Sequence, residues 1–240
     1  MTGPVTPGVG AAPVVAATPR LAATIVLLRD AASGPEVWLQ ERSRAVGFMP
    51  SAWVFPGGRV DPEDDDGGVS PDDRVPRVFW TAGVRELAEE ASVVLVVDDL
   101  RPYARWITPA AEPRRFDTLF FVARVPEGVE PRIDGVEASR GGWFGIPDAL
   151  ARIESGTLPA SPPTLRTLWE LREATTVQAV LDTPRRIIPC CPAYHIEPDG
   201  THFVLLPGDP DHPSSDAVDP PHRYAFHQGR WWARYYTVGS

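Results

Sequence analysis

The sequence predicts an α/β fold, a mixed sheet with helices to cover it, continued by a β-rich C-terminal extension. Three observations carry this. Apolar, β-branched runs bounded by turn residues recur at residues 21–28, 37–40 and 118–125, the texture of strands. Helical spacing of apolar residues replaces them after Pro76 and again after Ser161. From residue 185 onward only short strand-like runs remain, separated by Pro, Gly and Asp.

Taken in order, residues 1–19 are rich in Ala, Pro, Gly and Val but lack a basic start and a continuous apolar run. They read as a disordered tail, not a secretory signal. Residues 21–28 and 37–40 read as strands of the mixed sheet, and Trp53-Val54-Phe55 as a third that delivers the chain into Pro56-Gly57-Gly58. The helix after Pro76 carries Val78, Ala82, Leu87 and Ala91 at helix-compatible intervals. Residues 93–97 and 103–107 look extended on either side of Asp98-Asp99, and Thr118 opens the next strand. Residues 129–140 read as a polar loop leading to Trp143-Phe144, and residues 147–154 as a short helix. Ser161 stands where a cap is needed and Pro162 at the first turn of a longer helix, whose stripe runs from Leu165 to Val180 and which Pro184 ends. In the extension, Ile187-Ile188 and residues 203–206, 224–227 and 231–238 read as short strands. The expected division is a tail over 1–19, a main domain over 20–184, and an extension over 185–240 packed on it.

Composition sets limits on function. The 240 residues suit one large domain or one domain with an extension, and 43% hydrophobic content allows a sizeable core. A net charge of −9 argues against a general nucleic-acid binder. All 23 basic residues are Arg, so lysine Schiff-base chemistry is excluded and phosphate recognition falls to guanidinium forks or backbone N–H groups. Cys190 and Cys191 are adjacent with no CxxC pair, which excludes a disulfide framework and a zinc site and suits a reducing cytoplasm. With no nearby partner to activate them, a structural role is expected. The five histidines show no metal spacing and receive no role. No run approaches the length of a membrane span. The aromatic stretch HQGRWWARYY reads as a packed edge or homodimer contact, with a pocket wall as the alternative.

Chemistry concentrates in residues 55–93. Phe55-Pro56-Gly57-Gly58 leads into an acidic loop, Asp61 to Asp66, and Arg85-Glu86-Leu87-Ala88-Glu89-Glu90 lies on the helix. Spaced i, i+3 and i+4, Glu86, Glu89 and Glu90 share one helix face. Two carboxylates about 5 Å apart repel by roughly 3 kcal/mol at an effective dielectric near 20. Three of them need full solvation or a hard cation such as Mg²⁺. A carboxylate-rich helix face is ordinary in isolation; the Gly-Gly turn upstream and Arg85 beside the first Glu set this one apart.

With these residues the chain resembles the Nudix hydrolases. Their signature runs Gly, five residues, Glu, seven residues, then Arg-Glu, an aliphatic, any residue, Glu-Glu, any residue, Gly and an aliphatic. Gly58 starts the match, five residues lead to Asp64, and residues 85–93 fit the second half. Three positions depart from it. Asp64 replaces Glu and is shorter by a methylene; Ser92 replaces the Gly of the helix C-terminus, which puts its positive-φ turn in doubt. Twenty residues separate Asp64 from Arg85 where the family has seven, an insertion of 13 with a loop-like composition.

The resemblance implies an α/β/α sandwich and a divalent-metal diphosphatase acting on a small nucleotide-diphosphate substrate. It places Mg²⁺ or Mn²⁺ on Gly57, Glu86, Glu89 and Glu90, with Glu89 or Glu137 taking a proton from water and Arg85 orienting a helix carboxylate. Asp134 is the alternative to Glu137, and Asp61 and Asp64 would act through water. The split signature, followed by Arg114-Arg115-Phe116-Asp117-Thr118, looks like the peroxisomal acyl-coenzyme A diphosphatase branch. The substrate implied is coenzyme A or an acyl derivative, cleaved to 3′,5′-ADP and the matching 4′-phosphopantetheine. The terminal Val-Gly-Ser is no peroxisomal address, so the organelle does not carry over. Arg114 and Arg115 form either a phosphate clamp or a solvated basic pair, and Trp106 is either a contact for base or acyl chain or a core residue. Two readings compete: hydrolysis of ADP-ribose, NADH or dinucleoside polyphosphates, and a non-catalytic ligand sensor of the same fold.

Overall fold

A computed structural model describes residues 16–43, 51–133, 135–198, 200–214, 223–227 and 230–234. Most of the expected tail, Asp134, and residues 235–238 of the last expected strand lie outside the described residues. In chain order the elements are β1 (Arg20–Ala31), β2 (Gly34–Arg42), β3 (Trp53–Val54), β4 (Gly57–Arg59), α1 (Arg77–Ala91), β5 (Arg101–Ile107), β6 (Phe116–Arg124) and β7 (Ala138–Gly145). They continue with α2 (Ile146–Glu154), α3 (Pro162–Leu171), α4 (Val177–Asp182), β8 (Pro189–Cys190), β9 (Ala193–Ile196), β10 (His202–Leu205), β11 (Arg223–His227) and β12 (Arg230–Arg234).

The first sheet has the order β3-β2-β1-β6-β5-β8, with β4 on β1 and β7 on β2. It is mixed: β1 runs parallel to β6 and β5 parallel to β8, while the other pairs are antiparallel. The middles of β1 (Ile25–Leu28) and β6 (Leu119–Ala123) are continuously apolar because both of their faces are covered. Ala23, Ile25 and Leu27 of β1 and Leu119, Phe121 and Ala123 of β6 pack under α1 with Phe79, Trp80 and Leu87. The alternate residues Val26, Leu28, Phe120 and Val122 join Ile146, Leu165, Leu168 and Leu171 of α2 and α3. The result is the expected three-layer sandwich. Gly83 sets the closeness of the α1 layer, since a Cβ there would lie 2.9 Å from Ile25 Cδ1.

A second sheet, β12-β11-β10-β9, forms the extension. Val204 and Tyr224 on one of its faces join the core beneath α3, whereas Phe203, Leu205 and Ala225 cluster on the other. A buried ionic group ties α3 to the chain entering the extension: Glu170 accepts from Arg166 and, at 2.6 Å, from Arg185, whose guanidinium stacks on Tyr103 at 3.7 Å. Asp209 and Arg223 pair through two hydrogen bonds of 2.8 and 2.9 Å.

Several elements differ from expectation. The helix expected from Ser161 to Pro184 is two helices, α3 and α4. Thr176 adopts extended backbone and its hydroxyl accepts from the Ala179 N–H at 3.1 Å, so its side chain starts a new helix in place of continuing the old one. Asp30 of β1 accepts the Val177 N–H at 2.7 Å and holds that new start. Residues 93–97, expected to be extended, are irregular and run into a 3-10 turn, Val97–Asp99, because Asp99 accepts the Val96 N–H. The polar loop expected up to Arg140 ends at Ala138, where β7 begins and pairs along β2. Its Gly141 is required by packing, as a Cβ would lie 2.4 Å from Trp38. The Ile187-Ile188 strand falls instead at Pro189–Cys190, and β9 was not anticipated.

The positive-φ turn questioned at Ser92 is present, with φ 54 and ψ 31, and its N–H closes the helix on Ala88. A left-handed non-glycine residue costs about 1 kcal/mol. Ser92→Gly is therefore expected to raise the unfolding free energy by roughly 0.5–1 kcal/mol in urea titration. An unchanged or lower midpoint would show that the turn carries no such cost.

Candidate active site

The site begins where β1 changes partners. Ala22–Thr24 pair with β4, whereas Leu28–Ala31 pair with β2, so the two neighbours part beside the middle of β1. Glu90 of α1 bridges the parting. Its Oε2 accepts from Gln40 Nε2 of β2 at 2.6 Å and from the Gly57 N–H of β4 at 2.9 Å. Both glycines of the turn are required. A Cβ on Gly57, whose φ is 154, would lie 2.3 Å from the Ala23 carbonyl, and one on Gly58 would lie 2.4 Å from Glu86 Oε1. Gly58 thus makes room for the Glu86 carboxylate to lie directly against the turn.

Arg85 organises the rest. Its Nε and Nη2 donate to Asp64 at 3.0 and 2.9 Å, and Nη2 also donates to the Arg59 carbonyl at 2.9 Å. Nη1 donates to Glu86 at 3.0 Å and to Glu89 at 3.1 Å. All five guanidinium N–H groups are accounted for, so Arg85 positions carboxylates and has no donor left for a substrate. Asp64 is buried and also accepts the Asp61 N–H at 2.7 Å. The 3-10 turn Pro62–Asp64 carries this shorter carboxylate up to Arg85, and the Thr81 hydroxyl donates to the Asp64 carbonyl. Asp64 therefore grips Arg85 directly. Asp61 stands 3.8 Å from Arg85.

Negative charge exceeds what Arg85 offsets. Burial raises the Glu86 pKa, Arg85 opposes that rise, and the charges of Glu89 and Glu137 add to it. Burial pushes Glu90 up to about 7, with Glu86 and Glu137 adding to it and the Gly57 and Gln40 hydrogen bonds opposing. Glu137, exposed just before β7, lies within electrostatic reach of both. Glu89 is the open member, with its side chain 60% exposed. Gln40 Oε1 is buried beside them without a hydrogen-bond partner among the described residues.

Oxygen-only donors, excess buried negative charge and an unpartnered amide oxygen fit a hard divalent cation. Among the described residues no three His, Cys, Asp or Glu side chains already converge as a ligand set. Glu86 and Glu89 lean on Arg85 and Glu90 on Gln40, so ligation requires side-chain rotation, for which Glu89 is the most exposed.

The other expected contacts lie elsewhere. Trp106 is buried in the core on the α3 face, the core alternative of the two readings given for it; strand register turns it inward. Arg115 donates to the carbonyls of Thr108 at 3.0 Å and Ala17 at 2.9 Å, a loop tie that leaves it poorly placed to clamp phosphate. Arg114 is exposed. Burial pushes the Cys190 thiol up to about 12, which makes it inert. Gln40 escaped the sequence reading. It lies 50 residues from Glu90, in a strand that carries no motif.

A model of the NUDIX domain matches residues 18–162. Putative nudix hydrolase 7 of Caenorhabditis elegans is 28% identical over 191 residues, covering 64% of this chain and 61% of that protein. This chain thus spans less than two thirds of that relative. The crystal structure of a NUDIX hydrolase from Alicyclobacillus acidocaldarius superposes with a TM-score of 0.63 at 28% identity, over 69% of this chain and 96% of that one.

The raised Glu90 pKa has a sign that can be tested. The fold holds this proton more tightly than the unfolded chain, so stability is greatest below the ordinary 4.5 and is lost as pH rises toward about 7. Above that range the loss is on the order of 3 kcal/mol. In EDTA, Glu90→Gln is expected to be more stable than the parent at pH 8 and equal to it near pH 4, by thermal melts. A variant less stable at pH 8 would contradict the excess buried charge.

Proposed function

The chain belongs to the Nudix family, whose domain it carries over residues 18–162, and from this we propose divalent-metal-dependent hydrolysis of a diphosphate linkage in a small nucleotide substrate. One observation carries the reading. Three glutamates stand on one side of α1 against a glycine turn, two tied to Arg85 and the third bridging β2 and β4.

Glu86, Glu89 and Glu90, with the main-chain oxygen of Gly57, would hold Mg²⁺ or Mn²⁺. When bound, the cation neutralises the diphosphate, which this acidic site would otherwise repel, and acidifies a water. The chain's own groups do the remainder. Arg85, fixed by Asp64, keeps Glu86 and Glu89 oriented. Gln40 and the Gly57 N–H fix Glu90. Glu89 or Glu137 takes the proton of the attacking water while the bond from phosphorus to the leaving phosphate oxygen breaks in line.

Within that chemistry we assign coenzyme A or an acyl derivative as substrate. The support is the interrupted signature and the Arg114-Arg115-Phe116-Asp117-Thr118 run that follows it. A second reading, ADP-ribose, NADH or a dinucleoside polyphosphate, is favoured by one observation. Arg115 and Trp106, which would grip the 3′-phosphate and the base, are engaged in structure. These substrates share the diphosphate and lack the 3′-phosphate.

Product analysis separates the readings. The purified chain with Mg²⁺ or Mn²⁺ is given coenzyme A, acetyl-coenzyme A, ADP-ribose, NADH and a dinucleoside polyphosphate side by side. The expected result is release of 3′,5′-ADP, slowed about 10²-fold or more in Glu89→Gln. Turnover of ADP-ribose or NADH in its place would keep the chemistry and overturn the substrate. Absence of turnover with every compound would overturn the enzyme reading and leave the ligand sensor.

A further inference from the structure

We propose that the 13-residue insertion builds a second ligand site, for a phosphorylated small molecule with an apolar body, at the N-terminal end of α1. The insertion is internally tied. Arg77 pairs with Asp66 at 2.9 Å, and Ser70 Oγ lies 2.9 and 2.6 Å from the carbonyls of Asp72 and Val75. Val75 is buried in the α1 core, and its carbonyl accepts from Trp80 Nε1 at 3.3 Å. These ties bring Arg74 and Val75 to the wall of a cavity of about 340 Å³, completed by Phe79, Arg105, Arg186 and Ile187 together with neighbouring apolar atoms.

The chemistry of that wall selects the ligand. Three guanidinium groups line it and no carboxylate does. Arg74 uses Nε and Nη2 on Asp72, and Arg105 uses Nε and Nη2 on Asp117. Nη1 of each makes no hydrogen bond among the described residues. Arg186, exposed, makes no hydrogen bond or ion pair there at all. With Asp72 and Asp117 neutralising two of the cations, the wall keeps one net positive charge and unassigned N–H groups from three forks. Guanidinium forks match phosphate oxygens. Val75, Pro76, Phe79, Leu119 and Ile187 add apolar atoms to a lining that is otherwise guanidinium, and the volume falls at the small end of ligand pockets.

This site is separate from the glutamates. Phe79 precedes Glu86 by seven residues and Glu90 by eleven along α1, or about 10 and 16 Å at a rise of about 1.5 Å per residue. Ligand binding here therefore needs neither the diphosphate site nor a metal.

The test is calorimetric titration of the full chain in EDTA with AMP, and separately with inorganic phosphate. The expected result is saturable AMP binding that Glu90→Gln leaves unchanged and that Arg186→Glu weakens about tenfold or more, since it removes a cationic donor and sets a carboxylate against the phosphate. Phosphate alone should bind about tenfold more weakly than AMP, because it cannot contact the apolar side chains of the lining. No saturable binding, or equal binding by Arg186→Glu, would overturn the proposal. Altered binding in Glu90→Gln, tighter or weaker, would place AMP at the diphosphate site, and phosphate binding as tightly as AMP would remove the apolar contribution; either also overturns it.

Discussion

The hydrogen bonds of Arg85 are the interaction on which the rest of the site depends. One guanidinium reaches Asp64, Glu86, Glu89 and the Arg59 carbonyl, and so joins the acidic loop, the strand after the glycine turn and the helix. A lysine could supply the charge but not this fork, since the three N–H groups of an ammonium cannot make five bonds to three carboxylates and a carbonyl. Its saturation also defines its role. Asp64 is buried and would be costly unpaired, while Glu86 without Arg85 would be a desolvated charge beside two others.

The scaffold cooperates by leaving a gap. β1 takes β4 along its first half and β2 along its last residues, and the parting admits Glu90 between two strands that it bonds together. Glycine at 57 and 58 removes side chains that would fill the same space. Burial on both faces of β1 and β6 holds this arrangement rigid, because α1 cannot shift without opening the packing of Gly83 on Ile25. Charge that would be destabilising in an ordinary core is thereby concentrated at one point. That concentration of oxygen donors and negative charge supports the cation site proposed for it.

What the sequence disclosed follows from how local each relation is. Glu86, Glu89 and Glu90 could be placed on one face because helix geometry relates residues three and four apart. Apolar runs disclosed β1 and β6 for a similar reason. The partnership of Asp64 with Arg85 was hidden by the insertion, and that of Gln40 with Glu90 by 50 residues of chain. Trp106 turned out to face the core because register, which no local pattern reveals at an isolated tryptophan, decides which way a strand residue points. β7 was missed because its Gly141-Gly142 pair has poor strand propensity, yet Trp38 needs the space that Gly141 leaves. The signal for the start of α4 lay in Thr176, whose hydroxyl competes for a backbone N–H group.

The central claim is that Arg85 gathers these carboxylates beside the glycine turn, within side-chain rotation of a shared divalent cation. Titration of Mn²⁺ into the chain and into Arg85→Lys, followed by electron paramagnetic resonance of the free ion, tests it without relying on turnover. The expected result is a bound ion in the parent and affinity weaker by about tenfold or more in Arg85→Lys, which keeps the charge and loses the fork. Equal affinity in the two proteins, with both folded by circular dichroism, would contradict it.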